Sequence, residues 1–73
     1  MLSKRITELR KEQGMSQSQL SKALNVSPSA IGMYEQGRRV PSLEIIITMA
    51  RLFNVSLDYL ITGAESPYPK EIK

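Results

Sequence analysis

Residues 17–36 read QSQLSKALNVSPSAIGMYEQ and carry only two charged side chains, Lys22 and Glu35. Within them the apolar positions Leu20, Leu24, Val26, Ile31 and Tyr34 recur at helical spacing on either side of one break at Asn25. That spacing predicts two short amphipathic helices joined by a tight turn and crossing at a steep angle, with small Ser21 where they come closest. A chain of 73 residues has room for one small domain. At this size folding buries only ~60% of the surface the unfolded chain exposes, so the remaining segments must serve as a holder for this pair.

Capping chemistry marks the other helices. A first helix is predicted from about Leu2 to Gln13, with Ser3 as N-cap, Leu2, Ile6 and Leu9 on one face, and Gly14 ending it in a left-handed conformation. Ser16 and Gln19 have the spacing of a capping box at the start of the second helix, which is expected to bury Leu20, Ala23 and Leu24. Asn25 tolerates positive φ and suits the reversal, and Val26 fills the gap between the helices. Ser27 caps the third helix and Pro28 takes its first position, where a missing N–H does no harm. Ile31 and Tyr34 face inward, whereas Ser29, Gly32, Met33 and Gln36 face out, and Gly37 is the stop. Arg38, Arg39, Val40 and Pro41 then form a basic loop. The fourth helix follows Ser42 and runs to about Phe53, with Leu43, Ile46, Ala50 and Phe53 as its main buried stripe, joined by Met49. The fifth, from Leu57 to Thr62 after Ser56, carries apolar Leu57, Leu60 and Ile61 and stops at Gly63. The expected fold is therefore all-α, five short helices in a domain over residues 1–63, with the second and third forming a helix-turn-helix. Residues 64–73, AESPYPKEIK, hold two prolines and four charges without periodicity and are expected to be an extended or disordered tail.

Composition removes several function classes. With no Cys and no His there is no disulfide framework and no usual zinc-ligand set, so no metal site is expected. There is no Gly-rich phosphate loop and no activated nucleophile, so no catalytic residue, cofactor or small-molecule ligand is expected. The amino end, MLSKRITELRKEQG, lacks the apolar run of a secretion signal, and no segment approaches the ~20 apolar residues of a membrane span. A cytoplasmic protein with no membrane partner is the expectation. The net charge of +3 is unevenly spread: residues 1–40 hold seven basic side chains against three acidic, and residues 41–73 three against four. The basic excess accompanies the helix-turn-helix, as a polyanion partner would require, although many solvated domains carry as much.

With these elements placed, the chain resembles the phage repressor and Cro-like (XRE-type) helix-turn-helix family of bacterial and phage regulators. The resemblance runs from about Ile6 to Gly63. It rests on GMSQSQL entering the second helix, ALNVS at the turn, I-x-x-Y-E-Q-G closing the third helix, PSLE opening the fourth and FNVSLDYL leading into the fifth. It implies a lambda-repressor-like DNA-binding domain whose third helix enters the major groove. Carried over by position, Pro28, Ser29, Gly32 and Met33 would face base edges. Gln17, Ser27, Gln36, Arg38 and Arg39 would meet backbone phosphates, and Arg10 and Glu35 would form a structural pair tying the first helix to the third. The chain departs from relatives that place glutamines at the base-facing positions. Pro, Gly and Met offer no side-chain donors, so readout would lean on thymine methyl contact through Met33, on Ser29, and on DNA shape.

Each assignment has a plainer rival. Gln17 sits beside a capping serine and could do no more than help begin a helix; Met33 could simply be packed; Arg38 and Arg39 could be solvated loop charges; Arg10 and Glu35 could be unrelated surface groups. Ile45, Ile47 and Leu52 are either covered by the fifth helix or form the seam of a homodimer. The expected function is a sequence-specific transcriptional regulator, a repressor, that binds double-stranded DNA as a homodimer on a pseudo-palindromic operator. The alternative is a protein-interaction module, antitoxin-like or an anti-repressor component, with weak or no DNA binding.

Overall fold

Four serines set the frame of the fold. In the computed structural model, which describes residues 2–63, the helices are α1 Leu2–Glu12, α2 Gln17–Leu24, α3 Pro28–Glu35, α4 Leu43–Phe53 and α5 Leu57–Thr62, with no strand among the described residues. Ser16, Ser27, Ser42 and Ser56 precede α2 to α5, each in extended backbone, and each hydroxyl accepts from the amide three residues on. At α2 the capping box is complete: the Gln19 amide donates to Ser16 Oγ at 3.0 Å and the Ser16 amide to Gln19 Oε1 at 2.8 Å. The tail expected over 64–73, and with it the domain boundary after Gly63, lies outside the described residues.

The helix ends are equally regular. Asn25 and Asn54 hold left-handed backbone at φ 58° and 57°, as Gly14, Gly37 and Gly63 do. After α2, the Val26 amide reaches back to the Ser21 carbonyl at 2.9 Å; after α4, the Val55 amide reaches Ala50 at 3.0 Å. Both turns read Asn-Val-Ser: a left-handed residue ends one helix, a valine turns in toward the core, and a serine starts the next.

Each helix supplies one wholly buried large side chain, namely Ile6, Leu20, Ile31, Met49 and Leu60. Leu9, Leu24, Ala30, Tyr34, Ile46, Ala50, Phe53 and Val55 complete the core. Ser21 is its buried polar member, and its hydroxyl is satisfied by donating to the Ser18 carbonyl at 2.6 Å. The short α5 is tied to α1 by Arg5, whose Nε donates to the Leu60 carbonyl at 3.1 Å while its guanidinium lies over the Tyr59 ring, 5.6 Å from the centroid. A cation at the C-terminal end of a helix also complements its dipole.

Three expectations are corrected. Ser3 is not a cap but lies inside the first turn of α1, where its carbonyl accepts from Thr7 Oγ1 at 3.3 Å. Ala23 is exposed, because the inward arc of α2 is centred on Leu20, Leu24 and Ser21 and Ala23 falls past its edge. Leu43 is 66% exposed although it shares the phase of Ile46 and Ala50. Helical side chains lean toward the N-terminus, so in the first turn Leu43 reaches past the packed part of the bundle.

The left-handed Asn25 gives the fold its sharpest local test. Replacing Asn25 with Ala should lower the unfolding free energy by about 1 kcal/mol, and Asn25→Gly should leave it nearly unchanged, because only the alanine resists positive φ. Urea unfolding of the two variants measures this, and equal losses would show that the Asn side chain, not the backbone, matters.

Candidate nucleic-acid interface

Helices α2 and α3 pack with Ser21 and Ala30 among their buried residues, both small enough for close approach. With Ala30, Ile31 and Tyr34 turned in, the outer face of α3 presents Pro28, Ser29 and Met33 to solvent, with Gly32 half-exposed. Met33 is 41% exposed. No acidic group stands on this face, so nothing on it would repel a polyanion. Ser27 uses a lone pair to cap Ala30 at 3.1 Å, which leaves its hydroxyl proton available to an outside acceptor.

A four-part network fixes the far end of α3. Arg10 Nε donates to Glu35 Oε2 at 2.6 Å and Arg10 Nη2 to Glu35 Oε1 at 3.2 Å, a bidentate pair whose side chains are 12% and 7% exposed. Arg10 Nη1 also donates to the Met15 carbonyl at 2.9 Å, and Gln17 Nε2 to Glu35 Oε1 at 3.0 Å. One carboxylate therefore joins α1, α3 and the first residue of α2. Burial pushes the Glu35 carboxyl up, but hydrogen bonds from Arg10 and Gln17 and the Arg10 charge outweigh it and hold the carboxyl below its ordinary value of 4.5. The link from Gln17 to Glu35 was missing from the sequence reading, which treated Gln17 apart from the Arg10 and Glu35 pair. The only available signal was that Gln17 opens the helix next to the one Glu35 closes.

Gln17, Gln36 and Arg38 thus cluster at one end of α3. The Arg38 amide donates to the Met33 carbonyl at 2.9 Å and the Gly37 amide to Tyr34 at 3.2 Å, which locks the backbone of the basic loop to the end of the helix. Both arginine side chains are exposed. Arg39 borders a shallow cleft of about 280 Å³ beside Leu2, Val40, Pro41 and Ile61.

Ile45, Ile47 and Leu52 are not gathered into one patch. Ile45 packs against the core, Leu52 is exposed one face-repeat further along, and half-buried Ile47 lies on the other side of α4. There Ile47 borders an open groove of about 460 Å³ between α4 and α5, with Arg51, Val55 and Leu57. No helix among the described residues is long and apolar enough to cross a membrane.

The family model described as helix-turn-helix matches residues 6–60. The HTH-type transcriptional regulator YobD of Bacillus subtilis is 33% identical over 70 residues, which are 96% of this chain and 62% of YobD, so the chain spans less than two thirds of that relative. YazB, another regulator of that type from the same organism, is 42% identical over 57 residues, covering 78% of the chain and 83% of YazB. Among solved structures, the c2 repressor of P22 in complex with a synthetic operator superposes with a TM-score of 0.81 at 30% identity, over 86% of this chain and 96% of that one.

Because Glu35 is held below its ordinary value, the stabilisation it provides should be fully present above pH 4.5 and be lost as pH falls from there through its lowered native value. Glu35→Gln lacks this component. In urea unfolding from neutral pH to about 3, the stability advantage of the wild type over Glu35→Gln should shrink below pH 4.5. Parallel pH curves would mean the carboxylate is not stabilised by the network.

Proposed function

The chain belongs to the helix-turn-helix family, and from that premise we propose that it is a sequence-specific DNA-binding transcriptional regulator, a repressor, acting as a homodimer on a pseudo-palindromic operator. The observation that carries this reading is the outer face of α3, uncharged and exposed from Pro28 to Met33, with Gln17 and Arg38 at its C-terminal end. A surface of that kind fits a major groove: apolar and hydroxyl groups meet base edges while donors and cations at the ends meet phosphate.

In this reading Met33 packs against thymine methyl groups, Ser29 offers its hydroxyl, and Pro28 and Gly32 set how closely the helix approaches. Phosphates are held by Gln17, Ser27, Gln36, Arg38 and Arg39. Gln17 keeps a second amide proton free after donating to Glu35, so the network that orients it does not exhaust it. The dimer would form through the groove between α4 and α5, which Ile47 and exposed Leu57 border, with half-sites about 34 Å apart. A cytoplasmic location belongs to the same reading. The protein-interaction alternative is not favoured, since the relatives are named as transcriptional regulators and the c2 repressor is solved on an operator.

Selection from a genomic DNA pool at several salt concentrations tests the proposal. A preferred, two-fold symmetric sequence that survives rising salt is expected; binding that vanishes with salt and leaves no preferred site overturns it. Arg38→Ala should weaken all sites alike and reduce the salt slope by about one.

Gly32 supplies a test with opposite signs. No atom lies within 4 Å of where its Cβ would stand, so Gly32→Ala fits the free domain and should stabilise it by about 0.5–1 kcal/mol in urea unfolding. The same methyl group should hold the helix off the bases and lower affinity for the selected site. A variant that gains stability and binds equally well would remove Gly32 from the interface.

A further inference from the structure

We propose that Met33 is an oxidation site through which peroxides weaken sequence-specific DNA binding; this rests on reading the outer face of α3 as the base-contacting surface. Among the described residues Met33 is the exposed methionine, whereas Met49 is wholly buried and Met15 packs half-buried against the core. Its neighbours on the helical surface are small or flexible. Ser29 and Ala30 lie one turn before it, Gln36 and Gly37 one turn after, and Gly32 precedes it. Two of these are glycines with no side chain to shade the sulfur. Among the described residues Met33 is therefore open to an aqueous oxidant ahead of half-buried Met15 and buried Met49.

The chemistry is a two-electron oxygen transfer. The Met33 sulfur lone pair attacks one oxygen of hydrogen peroxide, an S–O bond forms as the O–O bond breaks, and the proton on the transferred oxygen passes to the departing hydroxide to give water. Sulfur is oxidised to the sulfoxide and the peroxide is reduced. An apolar, flexible group becomes a polar one that accepts hydrogen bonds and donates none. Against a thymine methyl group that dipole is left without a partner, and contact that favoured the site becomes unfavourable. The fold itself is spared, because Met33 adds little to the core and Met49 is out of reach.

The test treats the whole chain with hydrogen peroxide until about one oxygen is added per molecule, maps the modified residue by mass spectrometry, and measures affinity for the sequence that untreated protein selects. Met33 should be modified before Met15 and Met49, affinity should fall at least about fivefold with helical circular dichroism unchanged, and a methionine sulfoxide reductase should restore it. Bound DNA should slow the modification. In Met33→Leu, whatever its own affinity, the ratio of treated to untreated binding should stay near one. Unchanged affinity once Met33 carries oxygen, an equal loss in Met33→Leu, or earlier modification of Met15 or Met49 would overturn the role of Met33 alone. If untreated protein selects no sequence, the DNA-binding reading falls first and the inference with it.

Discussion

The Glu35 carboxylate is the constraint on which the arrangement of the helices depends. It closes α3, where a negative charge opposes the helix dipole, and its side chain is 7% exposed. A carboxylate in such a place needs strong partners. Arg10 supplies them with a bidentate grip from α1 while also holding the Met15 carbonyl in the link to α2. Gln17 adds a third donor from the first residue of α2. The ion pair is weak evidence of net stability, since desolvation offsets much of its attraction. Its clearer effect is geometric: it sets the end of α3 against α1 and α2.

The core sets what that geometry acts upon. With one wholly buried large side chain from each helix, no helix is an accessory, and a small domain with little buried area to spare holds α3 from several directions. Ser21 and Ala30 are the small members of the buried faces of α2 and α3. The exposed face of α3 is thereby oriented by its buried side, Ala30, Ile31 and Tyr34, and its own outward side chains do little to stabilise the fold.

This division bears on why the outer face of α3, the interface in the proposed function, is poor in base-specific donors while its end is firmly held. Arg10, Glu35 and Gln17 hold the end of α3 in place, and in the proposed function Arg38 and Arg39 would attract phosphate. In that proposal Pro28, Ser29, Gly32 and Met33 would shape the approach and touch apolar groups on the bases. A surface that reads by fit and not by bidentate hydrogen bonds is sensitive to small changes in size or polarity. One added methyl at Gly32 or one added oxygen at Met33 would then have an effect out of proportion to its mass.

Short-range chemistry made much of this legible in the residues alone. Serine caps, the Ser16 and Gln19 box, left-handed Asn25 and the glycine stops act over a few residues, so their spacing announces them, and the five helices follow with nearly their observed ends. Helical period also identified Ile31, Tyr34, Ile46 and Phe53 as buried. Period, however, gives a phase and not a neighbour. It could not show that Leu43 projects past the packed bundle, that Ala23 falls outside the inward arc, or that Ile45, Ile47 and Leu52 divide between two sides of α4. The bond from Gln17 to Glu35 spans eighteen positions and exists only once α2 and α3 have crossed. Local interactions determined where each helix starts, stops and turns its apolar stripe; only tertiary packing decided which polar groups met over the buried carboxylate, because that depends on distances no local pattern encodes.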